Sequence, residues 1–165
     1  MSQTTLTRAG VFAFMDDEAR TALADYGDVF STEPNQVVIL EGETNIHFYT
    51  ILKGQFEVHT SALQSPVHLD TLGKNDCFGE VAIFHPDRAS ATVTSLEAGE
   101  LWRTDVERLQ QFLSDYPTAG CAVLLGINIL LSRRLRRANG VIRFNEIVPG
   151  FLSVRKSREM VRLPA

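Results

Sequence analysis

The sequence predicts a mainly β fold flanked by helices, and three observations support this class. Between about Val29 and Trp102 the chain consists of short segments rich in Val, Ile, Thr and aromatic residues, separated by Gly, Asn or Pro. These segments recur about every ten residues, which is typical of a small antiparallel barrel or sandwich and not of a βαβ fold. Helical periodicity appears only before and after this region.

The N-terminal part of the chain predicts one helix, which follows a tail covering residues 1–10. Asp16 is a suitable N-cap, because its side chain can accept a backbone N–H of the first helical turn. Asp17 and Glu18 come next, and negative charge is favourable at the positive end of the helix dipole. Gly27 is a typical stop signal, so we expect the helix to end before it.

The strands are predicted in five segments, each rich in β-branched or aromatic residues and bounded by turn residues. Gly42, Gly54, Gly73 and Gly99 punctuate this region, and so does the Pro34-Asn35 pair. Short turns of this kind join antiparallel neighbours. In chain order the segments are QVVILEGE, HFYTILKGQFEVHT, VHLDTLG, ASATVTSL and GELWRT.

Two further helices are predicted after Trp102. Thr104 is the expected N-cap of the first, which has the sequence DVERLQQFLSDY. Pro117 disfavours the interior of a helix, so it is expected to end this helix or to begin the next one. The second helix is longer, and the Asn139-Gly140 pair is a strong stop signal for it.

The first half of the long helix is apolar on nearly all sides, over residues 121–131. Such a helix must be covered all round, and a chain of 165 residues is not expected to do so alone. The sequence therefore predicts a homodimer through residues 121–138, in which Gly126 allows two helices to approach closely. The expected contact residues are Leu124, Ile127, Leu131 and Leu135.

Composition places the chain among globular proteins of the cytoplasm. Hydrophobic residues make up 44% and charged residues 22% of the chain, which excludes a disordered or collagen-like protein. The apolar stretch at 121–131 is about half as long as the roughly 20 residues of a membrane span, so no span is predicted. The N-terminus lacks the pattern of a secretory signal, and the two cysteines, Cys77 and Cys121, form no disulfide framework.

The net charge of −4 conceals a division between an acidic body and a basic C-terminal extension, residues 140–165, that continues the basic end of the long helix. Such charge either complements the negative end of a helix and stays solvated, or contacts an anionic partner such as nucleic acid, lipid headgroups or an acidic protein face. Glu146 and Glu159 are the acidic residues after position 129. The basic ones are Arg133, Arg134, Arg136, Arg137, Arg143, Arg155, Lys156, Arg158 and Arg162.

The most specific pattern lies within Leu72–Val93, where a tight turn precedes the sequence FGEVAI at Phe78–Ile83. The free backbone N–H groups at the start of a helical turn favour an anion. Gly79 allows a ligand to approach closely, and Glu80 is suited to accept hydrogen bonds from sugar hydroxyls. A nearby arginine would neutralise a phosphate. The pattern predicts a pocket for a phosphorylated ribose.

With these residues the chain resembles the cyclic nucleotide-binding domain family, over about residues 11–139. The resemblance implies an eight-stranded antiparallel β-roll of the jelly-roll type, with an N-terminal helix, a short phosphate-cassette helix and a long C-terminal helix. It also implies cAMP or cGMP as the regulatory ligand, with no further cofactor. The residues that carry it are Gly42, Gly54, Gly73 and the Phe78-Gly79-Glu80 core.

The chain departs from the family pattern at the arginine that contacts the phosphate. The family commonly places this arginine nine residues after the glutamate, whereas here that position holds Ala89, and Arg88 precedes it. On a strand, a shift by one residue turns a side chain to the opposite face, although a local bulge would bring Arg88 inward. The ligand-binding residues that the resemblance implies are Phe78, Gly79, Glu80, Val81, Ala82, Arg88, Ala89, Ser90 and Asn139.

The sequence thus predicts a non-enzymatic regulatory module that binds a cyclic nucleotide and signals through its long helix. The alternative is a β-roll with a degenerate pocket that serves as a protein–protein interaction platform. Residues 140–165 are too short for the winged helix-turn-helix that DNA-binding members append, so no sequence-specific DNA binding is expected. The four histidines lack the spacing of metal ligands, and no catalytic motif is present.

Overall fold

The structure of the protein is a computed structural model that describes residues 5–61, 66–85 and 87–159, with side chains as far as residue 139. The chain divides into two compact units, Met1–Ile127 and Asn128–Ala165. The first unit contains the described strands. The second contains the greater part of the last helix.

Eight antiparallel strands in two sheets form the first unit, which confirms the predicted β-roll with flanking helices. The strands are β1 (Asp28–Thr32), β2 (Val37–Ile39), β3 (His47–Lys53), β4 (Phe56–Thr60), β5 (Val67–Leu72), β6 (Cys77–Phe78), β7 (Thr92–Ser95) and β8 (Gly99–Asp105). Sheet 1 has the strand order β1-β8-β3-β6, and sheet 2 has the order β2-β7-β4-β5.

Apolar side chains from both sheets meet inside the roll and form what we call the interior cluster. Phe30, Val38, Val58 and Ala89 pack against it as partly buried residues. Burial of this surface is the main force that holds the two sheets together. The members of the interior cluster are Ile39, Tyr49, Ile51, Phe56, Leu72, Phe78, Val93 and Leu101.

Helices cover the opposite face of sheet 1. The fully buried Trp102 makes an edge-to-face contact with Phe12, with ring centroids 6.2 Å apart, and its indole N–H donates to the Ala24 carbonyl at 3.1 Å. Ala24 is the last residue of helix α1 (Asp17–Ala24). The predicted N-cap is confirmed, because the Asp16 carboxylate accepts the Ala19 N–H at 2.8 Å.

The segment predicted as an N-terminal tail is packed against the body where the structure describes it. Leu6 is 1% exposed, and a short 3-10 turn follows at Gly10–Phe12. The cause is Arg20, which is 8% exposed and donates to the carbonyls of Leu6 and Met15, both at 2.8 Å. Sequence periodicity does not show that an arginine of α1 binds the preceding chain.

Replacing Arg20 with alanine is expected to lower the free energy of unfolding by about 2–4 kcal/mol, because two buried carbonyls lose their donor. Chemical denaturation of the variant measures this loss. Arg8→Ala is the matched control, since Arg8 is exposed and makes one bond of 3.4 Å, to the Ala13 carbonyl. Equal stability of the two variants would contradict the role of Arg20.

Helix α3 (Val106–Asp115) begins one residue later than predicted. Its N-cap is Asp105, whose carboxylate accepts the Arg108 N–H at 2.8 Å. Thr104 was the expected cap, but β8 extends to Asp105, and the Thr104 hydroxyl donates to the Tyr26 carbonyl at 2.6 Å. Because β8 extends through Thr104, the helix cannot begin there.

Helix α4 (Pro117–Glu159) begins at Pro117, so the predicted restart is confirmed. The predicted stop at Asn139-Gly140 is wrong, because the helix continues to Glu159. A glycine inside a helix costs only about 1 kcal/mol relative to alanine, which flanking helix-forming residues can offset. Good helix formers lie on both sides of the pair, with residues 135–138 before it and Arg143 and Glu146 after it.

The part of α4 that belongs to the first unit packs tightly on the body. Val123 and Ile127 are fully buried, and a Cβ at Gly126 would lie 2.0 Å from the Val11 carbonyl oxygen. Ile127 and Gly126 therefore serve contacts within one chain, which corrects their predicted place in a dimer interface. By length and composition alone, the described segment Pro117–Asn139 is long and apolar enough to cross a membrane, although the stretch at 121–131 did not predict a span.

Candidate ligand-binding site

The Phe78-Gly79-Glu80 turn lies where sheet 1 ends and the short helix α2 (Val81–Phe84) begins. Strand β6 pairs with β3, and Phe78 is the direct partner of Tyr49. The two rings stack with centroids 4.8 Å apart and planes inclined by 12°. Phe78 is therefore part of the interior cluster, and it fixes the start of the turn.

The backbone conformation and the packing of the protein itself require a glycine at position 79. Its φ of 75° lies in the left-handed region that favours glycine. A Cβ at this position would lie 2.4 Å from the His47 carbonyl oxygen and 3.2 Å from Cδ2 of Tyr49. The close approach predicted at Gly79 was that of a ligand, whereas the structure shows a close approach of strand β3.

Glu80 lies directly before α2 and is 4% exposed. Ala82 is also buried, while Val81 is 55% exposed. The N–H groups of Ala82 and Ile83 donate to the carbonyls of Gly79 and Glu80, at 3.2 and 3.4 Å. These two donors were predicted to be free for an anion. The turn uses them internally, which leaves Glu80 as its most distinctive polar group.

Ala89, not Arg88, packs against the interior cluster. The Ala89 N–H donates to the Glu43 carbonyl, and the Ala89 carbonyl accepts the Gly42 N–H, both at 2.8 Å. Arg88 is exposed, and its guanidinium donates to the Gly42 carbonyl at 3.1 Å. Ser90 is exposed as well. The structure thus buries Phe78 and Glu80, partly buries Ala89, and leaves the guanidinium of Arg88 at the surface.

The remaining sequence candidates lie elsewhere. Asn139 is exposed on the part of α4 that belongs to the second unit, and its contact with a base stays a prediction. Cys77 is buried beside the Thr50 hydroxyl at 3.4 Å, and Cys121 is exposed. Among the side chains that the structure describes, no three His, Cys, Asp or Glu residues form a group that would hold a metal ion.

A row of paired residues crosses sheet 1 at the level of the turn. Asp28 pairs with Arg103, Arg103 with Tyr49, and Tyr49 with Phe78. Directly paired residues of neighbouring strands lie on the same face of a sheet. Arg103 therefore shares the interior face with Tyr49 and Phe78. Arg103 could not be predicted from the sequence, because the partner of a strand residue is known only once the strand register is known.

Arg103 is the cation of this row. Burial lowers the pKa of His47, and the positive charge of Arg103 lowers it further, which favours the neutral imidazole. Burial raises the pKa of Tyr49, an effect that the adjacent Arg103 partly offsets. Asp28 is bound to Arg108, with its carboxylate 2.7 Å from the guanidinium Nη1.

Comparison with known proteins identifies the family to which the chain belongs. The family model for the cyclic nucleotide-binding domain matches residues 29–116. A CRP-like cAMP-activated global transcriptional regulator of Mycobacterium tuberculosis (strain CDC 1551 / Oshkosh) is 29% identical over 135 residues, which are 81% of this chain and 58% of that protein. The chain thus spans less than two thirds of the length of this relative.

Two solved structures share the fold. The N-terminal domain of a transcriptional regulator from Streptomyces coelicolor A3(2) has a TM-score of 0.68 at 25% identity, over 82% of this chain and 92% of that one. The Thermus thermophilus catabolite activator protein has a TM-score of 0.76 at 20% identity, over 84% of this chain and 63% of that one. The family model matches more than half of the residues of this chain. The chain therefore belongs to the cyclic nucleotide-binding domain family.

Proposed function

We propose that this chain is a non-enzymatic regulatory module that binds a cyclic nucleotide, cAMP or cGMP, in its β-roll. The observation that carries the proposal is the buried Glu80, which follows the left-handed Gly79 at the start of α2. A carboxylate excluded from water is a strong acceptor for a ribose hydroxyl that enters the same site. Membership of the family supports a nucleotide as the source of that hydroxyl.

The ligand-induced signal is proposed to pass through α4, because this helix begins in the first unit and continues through the second. A ligand shifts the population of two helix positions only if it binds one of them more tightly. Asn139 is the proposed base contact on this helix. The same helix, over residues 121–138, is the proposed interface of a cytoplasmic homodimer. A protein partner is proposed to bind one of the two positions of this helix.

Exposed apolar residues on α4 support the proposed dimer. Leu125 is 50% exposed and Leu135 is 62% exposed, whereas Val123 and Ile127 are covered by the chain itself. A second copy of α4 would bury the two exposed leucines. The interface is therefore proposed on the exposed surface of α4, to which Leu125 and Leu135 belong.

A second candidate function is a protein-interaction platform with a degenerate pocket. The observation that favours it is the contact of Ala89 with the interior cluster, which puts an uncharged side chain where the family commonly has its phosphate arginine. The two candidates differ in one measurable property, namely whether a cyclic nucleotide stabilises the folded chain.

Thermal unfolding with and without cAMP or cGMP tests the proposed function. A ligand at 100 times its Kd adds about 2.7 kcal/mol to stability, which raises the Tm of a chain of this size by about 5 °C or more. AMP and GMP, which lack the cyclic phosphate, are the controls. An unchanged Tm with both cyclic nucleotides would favour the platform.

Moving the arginine by one residue is expected to strengthen nucleotide binding. The double change Arg88→Ala and Ala89→Arg places a guanidinium on the side that packs against the interior cluster, where it can pair with the ligand phosphate. We expect the Kd for cAMP to fall about tenfold and the Tm without ligand to fall too, because an unpaired charge is then buried. Unchanged affinity would show that the phosphate does not lie near residue 89.

A further inference from the structure

Arg103 occupies the interior face of the roll next to the cassette turn. It stands between Asp28 and Tyr49 in the row of cross-strand partners that ends at Phe78. Gly79 follows Phe78 directly, and the position of its missing Cβ is 3.2 Å from the Tyr49 ring. One tyrosine side chain therefore separates Arg103 from the start of the turn.

The guanidinium of Arg103 is held in place without being neutralised. Its Cζ lies 4.9 Å from the centroid of the Phe30 ring, a cation–π distance. The two nearby carboxylates, Asp28 and Asp105, contact Arg108 at 2.7 and 3.5 Å. In the part of the chain whose side chains are described, no carboxylate lies within 4.0 Å of the Arg103 guanidinium.

Arg103 and Arg88 differ in their exposure to water, which determines how strongly each guanidinium attracts an anion. Arg88 is exposed and already donates to the Gly42 carbonyl. Arg103 is half-buried on the face that carries the interior cluster. A guanidinium in a partly desolvated position interacts with phosphate more strongly than one at the surface, since water screens it less.

We propose that Arg103, supported by Phe30 and Tyr49, is the cation that binds the phosphate of the nucleotide, in place of Arg88. This inference rests on the proposed function, because it assigns a residue to the anionic part of the same ligand. It also explains how a chain with Ala89 at the usual arginine position recognises a negatively charged ligand.

Calorimetric titration of the full chain with two probes, cAMP and adenosine, tests the assignment. Adenosine has the base and ribose of cAMP but no phosphate. For Arg103→Gln we expect the Kd for cAMP to rise at least about tenfold while the Kd for adenosine changes less than about twofold. Arg103→Lys keeps the positive charge, so we expect it to retain most of the affinity for cAMP that Arg103→Gln loses. Arg88→Gln is the control and should leave both constants unchanged.

The possible results separate this inference from the proposed function. Equal weakening of cAMP and adenosine binding by Arg103→Gln would assign Arg103 a structural role and overturn the inference. Selective loss of cAMP binding in Arg88→Gln alone would restore Arg88 as the phosphate residue and leave the proposed function intact. If the unaltered chain binds neither cAMP nor cGMP, the proposed function fails and the inference fails with it.

Discussion

Replacing Glu80 with alanine is expected to weaken cyclic nucleotide binding by about 1.5–3 kcal/mol, the loss typical of a hydrogen bond to a charged group. Glu80 is 4% exposed, so water does not compete for its carboxylate as it does for a surface group. The expected rise in Kd is about tenfold to a hundredfold. Titration of purified protein with cAMP and cGMP measures it.

Two further variants distinguish a loss of ligand binding from a loss of folding. Glu80→Gln keeps the size of the side chain and an acceptor oxygen, so we expect a smaller rise in Kd than for alanine. Glu100→Ala removes an exposed carboxylate from β8 and should leave affinity unchanged. Circular dichroism of each variant checks that the β-roll is intact. Full affinity in a folded Glu80→Ala variant would place the sugar elsewhere.

The variant Leu125→Glu is expected to convert the proposed dimer into a folded monomer. Leu125 is 50% exposed on α4 and contributes little to the covering of its own body. In a dimer through α4, the new carboxylate would be buried in an apolar contact without a partner, at a cost of several kcal/mol. Sedimentation equilibrium gives the mass of each species.

Leu96→Glu is the matched control for this change. Leu96 is 45% exposed, which is close to the exposure of Leu125, but it lies between β7 and β8 and not on α4. This variant should remain dimeric. A monomeric wild-type protein at tens of micromolar would contradict the proposed interface, and so would a Leu125→Glu variant that remains dimeric.

The eight-stranded β-roll was implied by the family resemblance, whereas turns and one helix cap could be predicted because their signals are local. Turn residues such as Gly42 and Gly54 have positive φ where the sequence analysis expected turns. The Asp16 cap depends on residues within one helical turn, and the structure shows the expected bond to Ala19. Such features need only the neighbouring chain, so propensity and spacing were enough.

Features that depend on packing between distant segments could not be predicted. Thr104 has the chemistry of a cap, but the length of β8 is determined by its pairing with β1 and β3. The apolar stripe on α4 did not show that Ile127 would be covered by its own chain. The position of Arg103 depends on the register of three strands. Each of these three features can be predicted only when it is known which strands and helices are neighbours.

Isothermal titration calorimetry of the unaltered chain with cAMP and cGMP tests the central claim most directly. A functional cyclic nucleotide-binding module predicts saturable heat with one site per chain for at least one of the two ligands, and no saturation with adenine or guanine bases alone. The absence of saturable heat with both cyclic nucleotides at millimolar concentration would contradict the claim, whatever the fold.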